Sequence, residues 1–376
     1  MNGNKHQPHD LKQMHSLPLE AKIIMTQQRI RQWYDHWDGQ VYVSFSGGKD
    51  STVLKHIVDN TPGVYDVPAV FVNTGLEYPE IQKFVKDVKS GKYDCFNPNV
   101  EIIRPEMRFD EVIKKYGYPV ISKEVSNTVS GAKNSIRKGK YSLRLRQLGV
   151  PKNEFGGLFD DGKHDYEQTV AKSKFLQTKW RFLIYADFEV SDKCCYHMKK
   201  APSKKYEKET ERKPFVATMA HESMTREAAW MKKGCNAFNA PRPTSQPMSF
   251  WTEQDVLHYI KKFDVPYCSV YGDIRVKQVV DNDLVFEGQV NLIDYLGCYD
   301  EADTLETTGC DRTGCIFCMF GCHLEKEPNR FQRLKETHPR QYDYCINGGE
   351  MVDGKWQPSK EGLGLGKVLD YIGVKY

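Results

Sequence analysis

The sequence predicts an α/β fold, with a doubly wound, mostly parallel sheet and a cysteine-rich C-terminal region. Three observations support this. A strand, a glycine turn and a helix follow one another at 41–58, strands and helices then alternate as far as 116, and four cysteines crowd into 310–322. Because strand–helix–strand units have right-handed crossovers, this alternation predicts parallel neighbouring strands.

The first strand is the apolar run from Val41, which leads into Ser46-Gly-Gly-Lys-Asp-Ser51. A helical pattern begins at once, with apolar residues at 53, 54, 57 and 58 on one face. Ala69–Val72 is the second strand and ends at Asn73-Thr74-Gly75; Pro79 then opens a helix. Val100–Ile103 is the third strand, and an amphipathic helix follows it. Since ligands bind beyond the carboxyl ends of such strands, 46–51 and 73–77 should share one rim.

The loop at 46–51 predicts an anionic nucleotide ligand. Gly47 and Gly48 allow a sharp turn and a close approach of the backbone to a ligand. The following helix directs unpaired N–H groups and a partial positive charge at the same space. Ser46 and Ser51 add hydroxyl groups, and Lys49 adds a point charge. The spacing differs from that of a Walker A loop and of the dinucleotide fingerprint.

Composition limits the class of protein. With 376 residues, 39% hydrophobic and 28% charged, the chain has the composition of an ordinary soluble protein. It lacks both an apolar run of the ~20 residues needed to span a bilayer and the apolar core of a signal peptide. We therefore expect a cytoplasmic protein without a membrane partner. The net charge of +4 is mild, but the basic stretch 133–146 favours either a solvated helix face or contact with nucleic acid.

The predicted organisation has three parts. Residues 1–38 form an N-terminal helix and tail, 39–265 a nucleotide-binding α/β domain, and 266–376 the cysteine-rich region. Within the last part, 271–280 and 283–290 are strand-like, and a short helix is expected near 367–371. Thr252 and Asp255 have the spacing of a capping box at the start of a helix that precedes this region.

The cysteines predict a metal or cluster site. Eleven cysteines without a secretion signal argue against a disulfide framework. Cys194 and Cys195 are adjacent and precede lysines, whereas Cys315 and Cys318 form a CxxC pair. Four thiolates suit either zinc or an iron–sulfur cluster. Two ligand sets remain open: Cys194, Cys195, Cys315 and Cys318, or the self-contained Cys310, Cys315, Cys318 and Cys322.

The order of motifs along the chain is similar to that of the phosphoadenosine phosphosulfate (PAPS) and adenosine phosphosulfate (APS) reductase family. This family belongs to the adenine nucleotide alpha hydrolase-like, or PP-loop, superfamily. Asn73 stands where the reductases usually carry aspartate. The motifs that carry the resemblance lie at 46–51, 73–75, 193–202, 222–226, 251–256 and 314–318.

The resemblance implies a set of site residues. Ser46, Gly47, Gly48, Lys49, Asp50, Ser51, Asn73, Thr74 and Gly75 would contact the phosphate or sulfate end of PAPS, APS or ATP. Ser223 and Arg226 would help to hold the anion, and Lys49, Asp50 and Arg226 are the expected catalytic residues. Cys194, Cys195, Cys315 and Cys318 would ligate a 4Fe–4S cluster, with zinc as the alternative.

One departure divides the functional predictions. Reductases of this family use a cysteine in a C-terminal Glu-Cys-Gly-Leu-His segment, and the chain lacks that segment. Cys345 follows Cys322 in a different context, with Asp343 close by. The first prediction is reduction of a sulfonucleotide to sulfite, with a thioredoxin-like reductant. The alternatives are an ATP pyrophosphatase that adenylates a nucleic acid or small molecule for sulfur transfer, and a non-catalytic nucleotide-binding module.

Overall fold

The computed structural model describes residues 5–155, 176–277 and 303–376, which form two compact units. The first unit contains residues up to 73, 77–104 and 203–313, and the second contains 74–76, 105–202 and 314–376. Each unit therefore draws on both the 39–265 and the 266–376 ranges of the predicted division. The predicted strand-like piece at 283–290 lies outside the described residues, as does part of 271–280.

The described strands are short. They are β1 Val41–Ser44, β2 Ala69–Val72, β3 Val100–Ile103, β4 Val120–Ile121, β5 Lys213–Phe215, β6 Asn236–Ala237, β7 Thr244–Ser245, β8 Ile274–Val276, β9 Leu305–Thr307, β10 Met319–Phe320, β11 Glu350–Val352 and β12 Lys355–Gln357.

The described α-helices alternate with the early strands, as predicted. They are α1 Pro8–His15, α2 Leu19–His36, α3 Lys49–Asp59, α4 Pro79–Lys89, α5 Phe109–Tyr116, α6 Lys123–Arg137, α7 Leu143–Gln147, α8 Ala201–Thr210, α9 Met224–Lys233, α10 Glu253–Lys262, α11 Arg330–Thr337, α12 Pro339–Ile346 and α13 Leu365–Tyr371. Among these described helices, none is both long and apolar enough to cross a bilayer.

The first unit is built on a six-stranded sheet in the order β3-β2-β1-β5-β7-β6. Every neighbouring pair is parallel except β6 and β7, which are antiparallel. The α/β fold with a mostly parallel sheet is therefore confirmed. Val41 and Val43 of β1 are fully buried, and so are Val53 and Leu54 of α3. Packing of α3 against the central strand fixes the turn between them.

The helix α10 begins at the predicted capping box. The Thr252 hydroxyl accepts a hydrogen bond from the Asp255 amide, and the Asp255 carboxylate accepts one from the Thr252 amide at 2.6 Å. The same carboxylate pairs with the buried Lys22 Nζ at 2.7 Å. This pairing anchors the helix that carries Glu253.

The second unit contains a short parallel pair, β4 with β10, and the two-stranded antiparallel β11–β12 hairpin. Tyr118 forms a separate parallel bridge with Val190, since its amide donates to Glu189 O at 2.8 Å and its carbonyl accepts from the Ser191 amide at 3.0 Å. Cys345 of α12 and Leu365 of α13 are fully buried. These contacts give the unit a core of its own.

Candidate functional site

The turn between β1 and α3 requires its first glycine. Gly47 has φ +72°, a conformation that residues with a side chain rarely adopt. A Cβ at this position would lie 2.9 Å from Ile81 Cγ2 and 3.0 Å from Val85 Cγ2. The close packing of α4 against the turn therefore makes any larger residue costly at this position.

Serine hydroxyls hold the turn in shape. Ser51 Oγ accepts from the Ser46 amide at 3.1 Å and lies 2.9 Å from Ser46 Oγ. Ser46 Oγ in turn accepts from the Gly48 amide at 3.3 Å. The first-turn N–H groups of α3 have no intrahelical acceptor, so this end of the helix is suited to an anion.

Two further hydroxyls lie at the start of α3. Tyr271 Oη accepts from the Lys49 amide at 3.1 Å and lies 2.7 Å from Thr313 Oγ1. A Cβ on Gly48 would lie 3.1 Å from each of these oxygens. Burial raises the pKa of Tyr271, so the phenol stays neutral at physiological pH. Sequence reasoning missed both residues, because neither lies in a motif of the loop.

Three cations and three carboxylates surround this end of α3. Lys49 Nζ donates to Asp311 O at 2.7 Å and pairs with Glu253 Oε1 at 2.9 Å. Arg226 pairs with one carboxylate oxygen of Glu222, and Arg312 pairs with the other. The third carboxylate belongs to Asp50.

Asp50 is the buried acid of the group. Its Oδ1 is buried and has no hydrogen-bond partner among the described residues, with Lys49 Nζ 4.0 Å away. Burial raises the pKa of Asp50, and the positive charges of Lys49, Arg312 and Arg226 oppose that rise. Both arginines therefore act electrostatically on the first turn of α3.

The remaining predicted nucleotide contacts occupy different places. Ser223 caps α9 by accepting from the Arg226 amide at 3.3 Å. Asn73 directly follows β2, so it lies on the same edge of the sheet as the turn after the parallel neighbour β1. Thr74 and Gly75 belong to the second unit, where Thr74 Oγ1 accepts from the Leu76 amide at 3.1 Å.

In the second unit, Cys194, Cys195, Cys315 and Cys318 line one small cavity of about 20 Å³. The other lining residues are mostly apolar: Leu76, Phe109, Pro119 and Met198, together with Lys199. The Sγ atoms of Cys194 and Cys195 are 4.0 Å apart. A hydrogen bond from Cys194, helped by the ammonium groups of Lys123, Lys199 and Lys200, lowers the pKa of Cys195 below that of an ordinary thiol.

Four thiols in an apolar, lysine-flanked cavity have the donor chemistry that a thiolate-bound cluster or zinc ion requires. As placed, no three acidic, histidine or cysteine side chains in the described part of the chain converge closely enough to hold a metal ion. The four sulfur atoms would therefore have to draw together around a metal. Their ligand role remains a prediction.

The two cysteines that belong only to the alternative set, Cys310 and Cys322, do not line the four-thiol cavity. Cys322 is 1% exposed and donates to Met319 O at 3.0 Å. Cys310 belongs to the first unit, where its amide donates to Val270 O at 3.0 Å.

Cys345 is fully buried, and burial raises its pKa well above the usual range. An attacking thiolate needs the opposite environment.

The basic stretch 133–146 is partly committed to internal contacts. Lys133 is buried, and its Nζ donates to Ala186 O at 2.8 Å and to Phe188 O at 2.6 Å. Arg137 pairs with Glu189 at 2.9 Å, and Arg144 donates to Asn127 at 2.8 Å. Contact of this stretch with nucleic acid remains a prediction that would rely on its other cations.

Comparison with known proteins gives a family match over most of the chain. The profile of the phosphoadenosine phosphosulfate reductase domain matches residues 40–148 and 159–319. An uncharacterised protein of Methanocaldococcus jannaschii is 37% identical over 91 residues, which is 24% of this chain and 18% of that protein's length. The crystal structure of phosphoadenylyl-sulfate reductase from Candida auris, a phosphate complex, matches with a TM-score of 0.35 and 13% identity. That match covers 71% of this chain and 92% of the other.

Proposed function

Because the chain belongs to the phosphoadenosine phosphosulfate reductase domain family, we propose that its first unit binds an adenine nucleotide by the phosphate or phosphosulfate end, and that the protein is an enzyme acting at that end. The observation that carries this proposal is the environment of α3. A glycine turn opens the helix, and Lys49, Arg226 and Arg312 surround its first turn. Helix N–H groups and cations together are suited to a polyanion.

Each residue has a role in this proposal. Gly47 and Gly48 let the backbone approach the anion, and the Ser46 and Ser51 hydroxyls hold the turn in shape. When the nucleotide binds, Lys49 leaves the Glu253 carboxylate and contacts an oxyanion of the nucleotide. Its positive charge therefore has a negative partner both before and after binding. The cations then stabilise charge that develops on the leaving phosphate.

The first candidate reaction is the reduction of a sulfonucleotide to sulfite. A thiolate attacks the sulfonate sulfur, and the sulfur–oxygen bond breaks with its electron pair leaving on the adenosine phosphate. The attacking sulfur now carries the sulfonate group. A thiol of a thioredoxin-like dithiol then attacks that sulfur. Sulfite leaves, and the two thiols end as a disulfide.

We propose that Cys194, Cys195, Cys315 and Cys318 hold a 4Fe–4S cluster, with zinc as the alternative. When bound, such a cluster supplies a compact, redox-capable charge to its surroundings. The lysines beside Cys195 offset the negative charge of the thiolates. Broad visible absorbance and stoichiometric iron in anaerobically purified protein would support this ligand set, whereas a colourless protein with one zinc ion would contradict the iron–sulfur assignment.

The burial of Cys345 favours a second candidate, cleavage of ATP at its α-phosphate. In this reaction a substrate oxygen attacks the α-phosphorus, the α–β phosphoanhydride bond breaks, and pyrophosphate leaves. A sulfide-level sulfur nucleophile would then attack the carbon that bears the adenylated oxygen of the substrate, a nucleic acid or a small molecule, and AMP would leave with that oxygen. This route needs no nucleophilic cysteine in the nucleotide site, so an inert Cys345 is compatible with it.

An anaerobic product assay distinguishes the candidates. Purified protein is incubated with PAPS, APS or ATP, with a thioredoxin-type reductant, and sulfite and pyrophosphate are measured. Sulfite from a sulfonucleotide supports reduction, and pyrophosphate from ATP supports adenylation. If the nucleotides bind and neither product forms with any candidate substrate, the protein is a non-catalytic nucleotide-binding module.

A further inference from the structure

Arg312 lies in a segment that is bonded to the nucleotide loop on both sides. The residue before it, Asp311, accepts from Lys49 Nζ through its carbonyl at 2.7 Å. The residue after it, Thr313, lies 2.7 Å from Tyr271 Oη, which itself accepts from the Lys49 amide. Both neighbours are thus tied to the first residue of α3, and the position of Arg312 relative to that helix is fixed.

The guanidinium of Arg312 retains donors for a ligand. Its contact is with one oxygen of Glu222, and its side chain is 66% exposed. Arg226 contacts the other oxygen of the same carboxylate and is 44% exposed. Since each guanidinium carries five N–H donors, one carboxylate leaves most of them available. Planar donors of this kind bind phosphate groups in a bidentate manner.

The two arginines lie close together, because they contact the two oxygens of the same Glu222 carboxylate. Burial and the charge of Arg312 both lower the pKa of Arg226, so the guanidinium groups repel each other. Glu222, whose side chain is 12% exposed, is the carboxylate between them. An arrangement in which one half-buried acid holds two repelling cations beside a helix N-terminus is suited to a ligand with several negative charges.

We propose that Arg312 is a nucleotide-binding residue that contacts the anionic end of the substrate together with Arg226, and that Glu222 is the positioning residue for both. This inference rests on the proposed function, because it concerns the same site. It adds a binding residue that no family motif of the chain contains. The signal in the sequence was a single arginine three positions before Cys315.

The test compares Arg312→Gln with a matched control, Arg275→Gln. Arg275 is also exposed (52%), and it pairs with Glu306 across the antiparallel strands β8 and β9. Calorimetric titrations use ATP, APS and inorganic pyrophosphate as probes, with the thermal unfolding midpoint as the folding check. Loss of one charged hydrogen-bonding group predicts binding of ATP and pyrophosphate weakened about 10- to 100-fold in Arg312→Gln. Arg312→Lys should give an intermediate loss, and Arg275→Gln should bind as the wild type does.

Three results would count against the proposal. If the wild type binds ATP and Arg312→Gln binds it equally well, the inference fails and the proposed function stands. If Arg312→Gln weakens ATP but not pyrophosphate, Arg312 does not contact the anionic end. If the wild type binds neither ATP nor APS, and PAPS does not bind in the same titration either, both the inference and the proposed function fail.

Glu222 has its own readout. Glu222→Gln removes a negative charge from the site. If Glu222 merely competed with the nucleotide for the two arginines, this variant would bind the nucleotide more tightly. A positioning role predicts weaker binding of pyrophosphate, because the two guanidiniums are no longer held together. Tighter binding by Glu222→Gln would overturn the positioning role.

Discussion

Replacement of Gly47 by alanine tests the geometry of the nucleotide turn directly. The positive φ of Gly47 costs a residue with a Cβ about 1–2 kcal/mol. The new Cβ would also lie 2.9 Å from Ile81 Cγ2, and overpacking of this kind costs about 1–3 kcal/mol. Together these terms predict that the free energy of unfolding falls by about 2–5 kcal/mol.

The control for this experiment is Gly63→Ala. Gly63 has φ +84°, and a Cβ there would meet no atom within 4 Å, so only the backbone cost applies. Urea denaturation of both variants separates the two terms, and calorimetry with ATP measures binding. We expect Gly47→Ala to lose more stability than Gly63→Ala and to bind ATP at least 10-fold more weakly. Equal destabilisation of the two variants, with ATP binding intact, would refute the reasoning.

The remaining predictions concern Asp50 and the cysteines. Burial raises the pKa of Asp50, so its ionised carboxylate destabilises the fold once the pH rises above the usual pKa of an aspartate. Asp50→Asn should therefore unfold at a higher urea concentration than the wild type at pH 7, and this gain should shrink near pH 3, where the acid is protonated. Product formation should fall in the same variant. No gain at pH 7 would contradict the burial argument. Iron or zinc content should fall in Cys194→Ser, Cys195→Ser, Cys315→Ser and Cys318→Ser and persist in Cys310→Ser and Cys322→Ser. Metal lost in Cys310→Ser and Cys322→Ser but kept in Cys194→Ser and Cys195→Ser would favour the self-contained ligand set. Cys345→Ala should keep its sulfite or pyrophosphate yield within about twofold, because a buried thiol is inert, and complete loss of sulfite in a folded variant would identify it as the nucleophile.

Local patterns in the sequence predicted the central part of the fold. The periodicities of β1, α3, β2 and α4 and the capping box at Thr252 each depend on neighbouring residues, so they were visible without the structure. Strands β6 and β7 span two residues each, which is too short for a periodic signal. The assembly of each unit from several separate stretches of the chain was not predicted, because it depends on contacts between residues distant in sequence and not on local composition.

In the candidate site too, the sequence predicted the residues that are neighbours along the chain and missed those brought in from distant positions. Its loop residues form one continuous motif, whereas Tyr271, Arg312 and Glu253 are more than two hundred positions away from Lys49. Their approach depends on the packing of α10, of the segment before β8 and of the segment after β9. A single sequence contains no direct record of such long-range contacts. The missed residues are consequently those that surround the loop rather than those that form it.

Amide NMR of selectively glycine-labelled protein tests the central claim most directly. Titration with ATP or APS should shift the amide resonances of Gly47 and Gly48, because the proposed site puts the anionic end of the nucleotide against their N–H groups. Gly63 provides an internal control in the same unit and should not respond. Saturable nucleotide binding that leaves the Gly47 and Gly48 resonances unchanged would contradict the account.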